Sequence, residues 1–212
     1  MNEQMREWMR IRISNARKGL EKRGFPTYMC NNAEELRQLV SSFIKDGEQV
    51  SAGGSVTLEE TGVLDMLRDR DITLIENDRS FSKEEQKQRH RMAFMSDTYV
   101  CSANAITEDG EIYNVDGNGN RAAAVIFGPD QVLLIVSANK IVRDLGEAKR
   151  RVEEIAAPAN CLRLHKLTPC SKVGHCMDCA SKERICSAYV TIRWQQKKDR
   201  IKVIFVDGVF GY

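Results

Sequence analysis

The sequence predicts an α/β fold, with an open sheet flanked by helices and a small module at the C-terminal end. Three observations lead to this fold class. Strand-length segments alternate with segments of helical periodicity in the first half of the chain. Four apolar runs of strand length, separated by turn signals, occupy the middle. The 212 residues suit one α/β core with one extra module.

The first predicted element is an amphipathic helix over residues 2–22, because apolar residues recur there at three- and four-residue steps. We expect it to lie across the outside of the domain. A short extended segment at 28–29 leads to Asn31 and Asn32, whose side-chain oxygens can cap a helix over 33–46.

A β-α-β repeat is predicted next. A strand over 47–55 ends in two glycines, a helix covers 57–70, and a second strand covers 71–77. The charged segment 79–95 is expected to form a helix over this repeat.

The middle of the chain is predicted to supply the buried strands of the central sheet. These strands cover residues 99–107, 111–115, 122–128 and 131–139. Asn139 and Lys140 then open a helix that ends before Pro158, because proline disfavours the helical conformation in the residue before it.

Two further strands, over 188–195 and 200–208, are predicted to pair through a polar hairpin. We therefore divide the chain into two parts. Residues 1–167 form the α/β domain with its N-terminal helix, and residues 168–212 form a cysteine-rich loop and C-terminal strands packed on the same domain.

Charge and composition argue against several classes of protein. The 32 basic and 30 acidic residues give a net charge of +2 and are interleaved, whereas nucleic-acid binding needs clustered basic charge. No apolar run approaches the ~20 residues of a membrane span, and the charged N-terminal segment is unlike a signal peptide. With an odd number of cysteines, 7, the chain is predicted to be cytoplasmic with reduced thiols.

Four cysteines near the C-terminal end predict a metal site. Cys170, Cys176, Cys179 and Cys186 lie within 17 residues, in a polar loop that Gly174 allows to fold around an ion. Four thiolates suit either tetrahedral zinc or an iron–sulfur cluster, and the spacing does not choose between them. Reduced thiols that pack locally and a Cys-x-x-Cys redox pair are the alternatives.

Two loops predict a site for a small anionic metabolite. The first follows strand 47–55, at the position where open α/β sheets bind ligands and where backbone N–H groups can face an anion. The second, over 116–121, supplies amides and a guanidinium suited to a carboxylate or phosphate. The alternative is a pair of ordinary glycine turns, with Arg121 paired to Glu108 or Asp109. The candidate ligand-binding residues are Gly53, Gly54, Ser55, Thr57, Asn104, Asn118, Asn120 and Arg121.

Motifs for nucleophilic catalysis or nucleotide binding are absent from the sequence. There is no G-x-S-x-G, P-loop or G-x-G-x-x-G, and Gly117-x-Gly119 lacks a third glycine and is not expected to open a helix. Glu108 and Asp116 are the candidate general bases, provided that they lie beside a bound ligand.

Four segments of the chain resemble the lactate-utilisation (LUD) domain family, the group that contains LutC- and YkgG-like proteins. The segments are GGSVTLEETGVLDML (53–67), SANAITEDGEIYNVDGNGNRAAAVIFGP (102–129), SANKIVRDLGEAKRRVEEIAAPAN (137–160) and TPCSKVGHCMDCASKERIC (168–186). The resemblance covers almost the whole chain. It implies the NagB/RpiA/CoA-transferase-like fold, a parallel-rich open sheet with helices on both faces.

The resemblance also implies a role in organic-acid metabolism. Some members of the family belong to a three-protein system that oxidises L-lactate to pyruvate with partner subunits that carry iron–sulfur clusters. A subunit or accessory factor of lactate oxidation, with redox partner subunits, is therefore the leading hypothesis. The cysteine cluster departs from the LutC type, and the lack of a ferredoxin-like domain departs from the LutB type.

Two other functions remain open at this stage. One is an enzyme acting on a sugar-phosphate, folate or CoA-type substrate, as other members of the fold group are. The other is a non-catalytic, metal-stabilised interaction protein, which predicts an exposed apolar stripe on the first helix. One fold hosts many chemistries, so the sequence leaves the substrate, catalytic competence and the oligomeric state, including a homo-oligomer, open.

Overall fold

The computed structural model describes residues 2–76 and 80–212, and its core is a six-stranded parallel sheet. The strands are β1 (Thr27–Cys30), β2 (Gln49–Ala52), β3 (Thr73–Ile75), β4 (Thr98–Cys101), β7 (Gln131–Ser137) and β10 (Ile201–Val206). They pair in the order β1-β10-β7-β4-β2-β3, and each neighbouring pair is parallel. The predicted open α/β sheet is confirmed.

A second, smaller sheet lies beside the first. Its strands are β5 (Ala105–Thr107), β6 (Ile112–Asp116), β8 (Ile141–Val142) and β9 (Ala188–Ile192), in the order β8-β5-β6-β9. β6 pairs antiparallel with both β5 and β9, and β5 pairs parallel with β8.

Helices lie on both faces of the main sheet and against the smaller sheet. They are α1 (Glu3–Lys22), α2 (Ala33–Ser42), α3 (Val56–Glu60), α4 (Val63–Arg68), α5 (Lys83–Met92), α6 (Asn120–Ile126), α7 (Leu145–Arg151), α8 (Ala157–Arg163) and α9 (Cys170–Val173). Asn32 caps α2 as predicted, since its side-chain oxygen accepts from the Glu35 backbone N–H at 2.9 Å.

Both faces of the sheet are buried because β7 alternates its side chains between two cores. Leu134 packs with Ile13 and Leu20 of α1 on one face. Leu133 and Ile135 pack in the core on the other face, which contains residues of α2, α3 and α4. Fully apolar strands are what a parallel sheet covered on both faces requires.

The segment 122–128, predicted as a strand, is a helix in the structure. α6 begins after Gly119, whose φ of 75° makes the turn that leads into it. The Asp116 carboxylate accepts from the Ala122 backbone N–H at 2.6 Å and anchors the first turn. The expectation that Gly117-x-Gly119 does not open a helix is therefore also wrong.

The predicted hairpin between the last two strands is wrong as well. β9 pairs with β6 in the small sheet, whereas β10 inserts between β1 and β7 in the large one. β10 is buried almost throughout, so it belongs to the core and not to a surface hairpin.

The predicted strand 99–107 also divides between the two sheets, into β4 and β5, and the break between them carries Ser102 and Asn104. The helix expected from Ile141 begins at Leu145, after β8, and continues past Pro158. A wider, π-type turn over Val152–Ala156 accommodates the missing proline N–H.

Two of the predicted boundaries, Asn77 and Arg79, lie outside the described residues. Among the described residues, no helix has the length and apolarity needed to cross a lipid bilayer.

Candidate functional site

A cavity of about 690 Å³ opens at the carboxyl ends of the parallel strands. The segments that follow β2, β4 and β7 form its floor, and residues of α5, the 116–121 turn and the end of α8 form its walls. This is the edge of an open parallel sheet at which ligands bind.

Lys140 lies in the floor of this cavity and is only 3% exposed. It follows β7 directly, at the end of a short 3-10 turn over Ala138–Lys140. Its Nζ donates to Thr57 Oγ1 at 2.6 Å and to Ser102 Oγ at 3.0 Å. The amine is thus held by two neutral hydroxyl groups, one from α3 and one from the loop after β4.

The surroundings of Lys140 favour the neutral amine. Burial, and then the nearby guanidinium groups of Arg151 and Arg121, lower the pKa of Lys140 to about 7, against a smaller raising effect of Glu60. Within the described part of the chain, no carboxylate lies within ion-pair distance of the amine. A buried titratable group with a strongly shifted pKa in a cavity is a mark of a functional site.

Arg151 fixes the backbone around Lys140. Its Nε donates to the Asn139 carbonyl oxygen at 3.1 Å, and its Nη1 donates to the Asn104 carbonyl oxygen at 2.6 Å. Burial lowers the pKa of Arg151 to about 10. One guanidinium therefore ties the segment after β7 to the segment after β4 and adds positive charge behind the amine.

Arg121 forms the wall of the cavity through a dense hydrogen-bond network. It pairs with Asp116 at 2.6 Å and donates to the side-chain oxygens of Asn104, at 2.7 Å, and Asn114. It also donates to the Ser102 carbonyl oxygen at 2.8 Å. The alternative pairing with Glu108 or Asp109 is not found, and most of the donors of Arg121 already have protein partners.

The loop after β2 approaches Tyr99 closely. A Cβ atom at Gly53 would lie 2.7 Å from the Tyr99 hydroxyl oxygen, so only glycine fits there without a shift. Gly54 has open space around it, and the Ser55 hydroxyl makes no capping bond to α3.

All eight predicted ligand-binding residues line this one cavity. They are Gly53, Gly54, Ser55, Thr57, Asn104, Asn118, Asn120 and Arg121. The fold thus brings the two predicted loops together, while ligand binding by these residues stays a prediction.

The two candidate bases are placed differently. Asp116 lines the cavity, but its two oxygens accept from Arg121 and from the Ala122 N–H, which favours a positioning role. Glu108 lies away from the cavity lining and binds Arg12 of α1 at 2.8 Å. The structure therefore brings only Asp116 to the site.

Residues 210–212 close one side of the site. The Phe210 carbonyl oxygen accepts from Thr57 Oγ1 at 3.1 Å and from Ser137 Oγ at 2.6 Å. The Gly211 carbonyl oxygen accepts from the Asn139 side-chain amide at 2.9 Å. These bonds hold Thr57 beside the lysine, and Tyr212 lines the cavity.

The cysteine loop borders the same cavity. A Cβ atom on Gly117 would lie 3.2 Å from the Cα of Ile185, which itself lines the cavity. Burial raises the pKa of Cys186 against a lowering effect of Arg184, and Cys176 and Cys179 raise it further, so both of these thiols lie within electrostatic range of Cys186.

Cys170 contacts a cysteine outside the predicted set of four metal ligands. Its Sγ lies 3.7 Å from Cys161 Sγ, a cysteine on α8 that was not included in the predicted metal set, and 3.2 Å from Thr168 Oγ1. In the described residues, no three His, Cys, Asp or Glu side chains form a group that could hold a metal ion. The four predicted ligands do not form such a group in this structure, and the zinc or iron–sulfur site stays a prediction from sequence.

Sequence reasoning missed Lys140, Ser102 and Arg151 as site residues. Lys140 was interpreted as the start of a helix. Its position directly after the longest buried apolar run places it at the carboxyl end of a strand, where ligands bind, and this position could have identified it as a site residue. Ser102 and Arg151 carry no comparable mark in the sequence.

Comparisons with known proteins identify the family and support the fold. Residues 13–206 match the LUD domain family. The fold is similar to that of a DUF162 family protein from Deinococcus radiodurans, with a TM-score of 0.54 and 14% identity, covering 93% of this chain and 98% of that one. No curated protein matches the chain. Because the family match spans nearly the entire sequence, the chain belongs to the LUD domain family.

Proposed function

We propose that this LUD-domain protein acts in organic-acid metabolism and binds a small carboxylate or phosphate anion in the cavity above β2, β4 and β7. The observation that carries the proposal is Lys140, a buried amine on the cavity floor that contacts two hydroxyl groups and makes no ion pair with the described carboxylates. A bound anion would supply the negative partner that the protonated form of this amine does not find among the described carboxylates.

The charge balance of the cavity lining supports an anionic ligand. Arginine and lysine side chains outnumber the acidic ones, and each acidic side chain pairs with an arginine: Glu59 with Arg163 at 3.8 Å, Glu76 with Arg68 at 2.9 Å, and Asp116 with Arg121 at 2.6 Å. Arg89, Lys140 and Lys166 remain as lining cations without an ion pair in the described part of the chain. A cavity with this excess of positive charge attracts anions.

We further propose that the protein is a subunit or accessory factor of L-lactate oxidation. The family membership supports this role, and the proposed anion site is compatible with a small carboxylate. In such a system the electrons of lactate pass to redox partner subunits, so the cavity needs only to bind and orient the acid.

The size of the cavity favours a second candidate, an enzyme for a sugar-phosphate, folate or CoA-type substrate. A volume of about 690 Å³ lies inside the ~300–1,000 Å³ range of pockets that enclose drug-sized ligands, and a three-carbon acid would fill little of it. The non-catalytic interaction protein is less well supported, because α1 buries most of its apolar stripe against the core, namely Met9, Ile13, Ala16 and Leu20, and exposes Met5, Trp8 and Ile11.

Isothermal titration calorimetry tests the proposal with L-lactate, pyruvate, inorganic phosphate and CoA as ligands. We expect a small carboxylate or phosphate to bind the wild type and to lose at least about tenfold in affinity in Lys140→Met, which corresponds to about 1.4 kcal/mol. Lys202→Met is the matched control, because Lys202 is half-buried, has a lowered pKa and donates to Gln131 at 2.8 Å outside the cavity lining.

The possible results separate the candidates. Binding of CoA without binding of the small acids would favour the larger substrate class. Binding of none of the four ligands, or equal binding by Lys140→Met, would overturn the anion site.

A further inference from the structure

We infer that the Lys140 amine forms a covalent imine with the carbonyl group of a 2-oxo acid bound in the cavity. The inference rests on the proposed anion site and names the substrate class of that site. It assigns to Lys140 a reaction with the ligand in place of simple charge pairing.

The hydrogen bonds of Lys140 match a neutral amine. A neutral primary amine carries two hydrogens and one lone pair. Thr57 Oγ1 and Ser102 Oγ, at 2.6 and 3.0 Å, account for both hydrogens, which leaves the lone pair for a ligand atom in the cavity that Lys140 lines. An amine is a nucleophile toward carbonyl carbon only in this neutral form.

The electrostatic surroundings sustain that form near neutral pH. Arg151 and Arg121 lie near the amine and, together with burial, lower the pKa of Lys140 to about 7. Desolvation of a lysine next to other cationic groups is a recognised way to activate it as a nucleophile. A substantial fraction of the amine is therefore neutral near pH 7.

The same cavity offers a place for the carboxylate of the oxo acid. Gly54 has open space around it, and Ser55 has a hydroxyl that makes no capping bond. Both residues lie in the loop that leads to Thr57, so they line the cavity next to the amine. A 2-oxo acid has its carboxylate and its carbonyl on adjacent carbons, so one small ligand can present its carboxylate to this loop and its carbonyl to the amine.

The reaction balances without an added oxidant or reductant. The Nζ lone pair forms a bond to the carbonyl carbon, and the carbonyl π electrons move to oxygen. Transfer of one proton from nitrogen to that oxygen gives the neutral carbinolamine. A second proton is taken up at the hydroxyl oxygen and the remaining nitrogen hydrogen is released, so that water leaves as the nitrogen lone pair forms the C=N bond, and amine plus carbonyl give imine plus one water. Ser102 or Thr57, whose hydroxyls contact Nζ, can pass the proton from nitrogen to the leaving oxygen.

Borohydride trapping tests the inference on the intact protein. Wild-type protein is incubated with pyruvate and sodium borohydride, and intact mass and peptide mapping follow. We expect one adduct per chain at Lys140, heavier by the mass of pyruvic acid less one oxygen atom. L-Lactate, which has no carbonyl group, should give no adduct.

Two variants control for charge and for folding. Lys140→Arg keeps a cation but cannot form the imine, and it should give no adduct while circular dichroism shows the wild-type fold. Lys202→Arg should be labelled like the wild type. Ser102→Ala should label at least about tenfold more slowly than the wild type at saturating pyruvate, because a proton relay is lost.

The outcomes separate this inference from the anion site. Calorimetric binding of pyruvate without an adduct at Lys140 would overturn the imine and leave the anion site standing. Labelling spread evenly over surface lysines would overturn it as well. Failure of pyruvate to bind at all would overturn both.

Discussion

Replacement of Lys140 by methionine should stabilise the folded protein at neutral pH, although the lysine makes two good hydrogen bonds. Burial and the neighbouring guanidiniums lower its pKa to about 7, from an ordinary value of 10.5. At pH 7 the unfolded chain binds a proton that the folded chain only half retains. Folding therefore carries a cost of about 4 kcal/mol for this group.

The hydrogen bonds offset part of this cost. Thr57 and Ser102 each accept one bond from the amine, worth about 1 kcal/mol apiece. The net expectation is that Lys140→Met is more stable than the wild type by about 2 kcal/mol at pH 7. A residue that lowers stability in this way is characteristic of a functional site.

The pH dependence has a definite sign. Below the folded pKa the lysine is protonated in both states, and the full cost is present. Between about pH 7 and the unfolded value only the unfolded chain binds the proton, so the wild type gains about 1.4 kcal/mol per pH unit from this group. The advantage of Lys140→Met should thus shrink by about 3 kcal/mol between pH 7 and pH 9.5.

Urea unfolding of the wild type and of Lys140→Met at pH 7 and pH 9.5 measures how the difference between their free energies of unfolding changes with pH. The contributions of the other titrating groups cancel in this comparison. Lys202→Met is the control for removal of a half-buried lysine, and its difference from the wild type should change much less. A destabilised Lys140→Met at pH 7, or a difference that does not vary with pH, would refute the reasoning.

Three further predictions concern the loops around the cavity. Gly53→Ala should destabilise the protein by about 1–3 kcal/mol in urea unfolding, because the added Cβ would lie 2.7 Å from the Tyr99 hydroxyl oxygen. Gly54→Ala is the control and should leave stability nearly unchanged, because its Cβ would meet nothing within 4 Å. Asp116→Asn should cost about 3–5 kcal/mol in the same assay because it breaks the buried pair with Arg121, and Asp130→Asn, at an exposed pair with Lys197, should have little effect. Anaerobically purified protein should contain about one zinc, or about four iron and four sulfide, per chain, lost in a Cys176→Ser, Cys179→Ser double variant and kept in Cys30→Ser; metal-free wild type would contradict the four-cysteine site.

The position of the site could be predicted from sequence because parallel strands share one carboxyl edge. The loop after β2 and the 116–121 turn were expected to face one ligand, and the structure places both on one cavity. The glycine that the close approach to Tyr99 requires is visible in the sequence, whereas Tyr99 as its neighbour is not.

The errors in the fold prediction have a common physical cause, which is that short apolar runs do not reveal their partners. The run AAAVIFG fits a buried strand or a buried helix equally, and Asp116 and Gly119 decide for the helix. β9 and β10 are close in sequence, but β10 is a largely apolar and buried strand that pairs with β1 and β7 in the core. Pairing over such sequence distances is decided by tertiary packing.

The chemistry of the site was harder to predict than its position. Lys140 resembles an ordinary polar residue after a strand, and only its burial between Arg151 and the two hydroxyl groups makes it unusual. Cys161 likewise precedes the cysteine-rich segment by nine residues, and only the fold brings it to Cys170.

The central claim is that Lys140 is an anion-responsive amine, and NMR titration of the lysine side chains tests it most directly. Protein with ¹³C-labelled lysine Cε positions is titrated without ligand and with saturating phosphate or L-lactate, and Lys140→Arg assigns the signal. The account predicts a pKa near 7 for Lys140 without ligand and a higher pKa when the anion is bound. A pKa near the ordinary lysine value, or one that no anion changes, would contradict it.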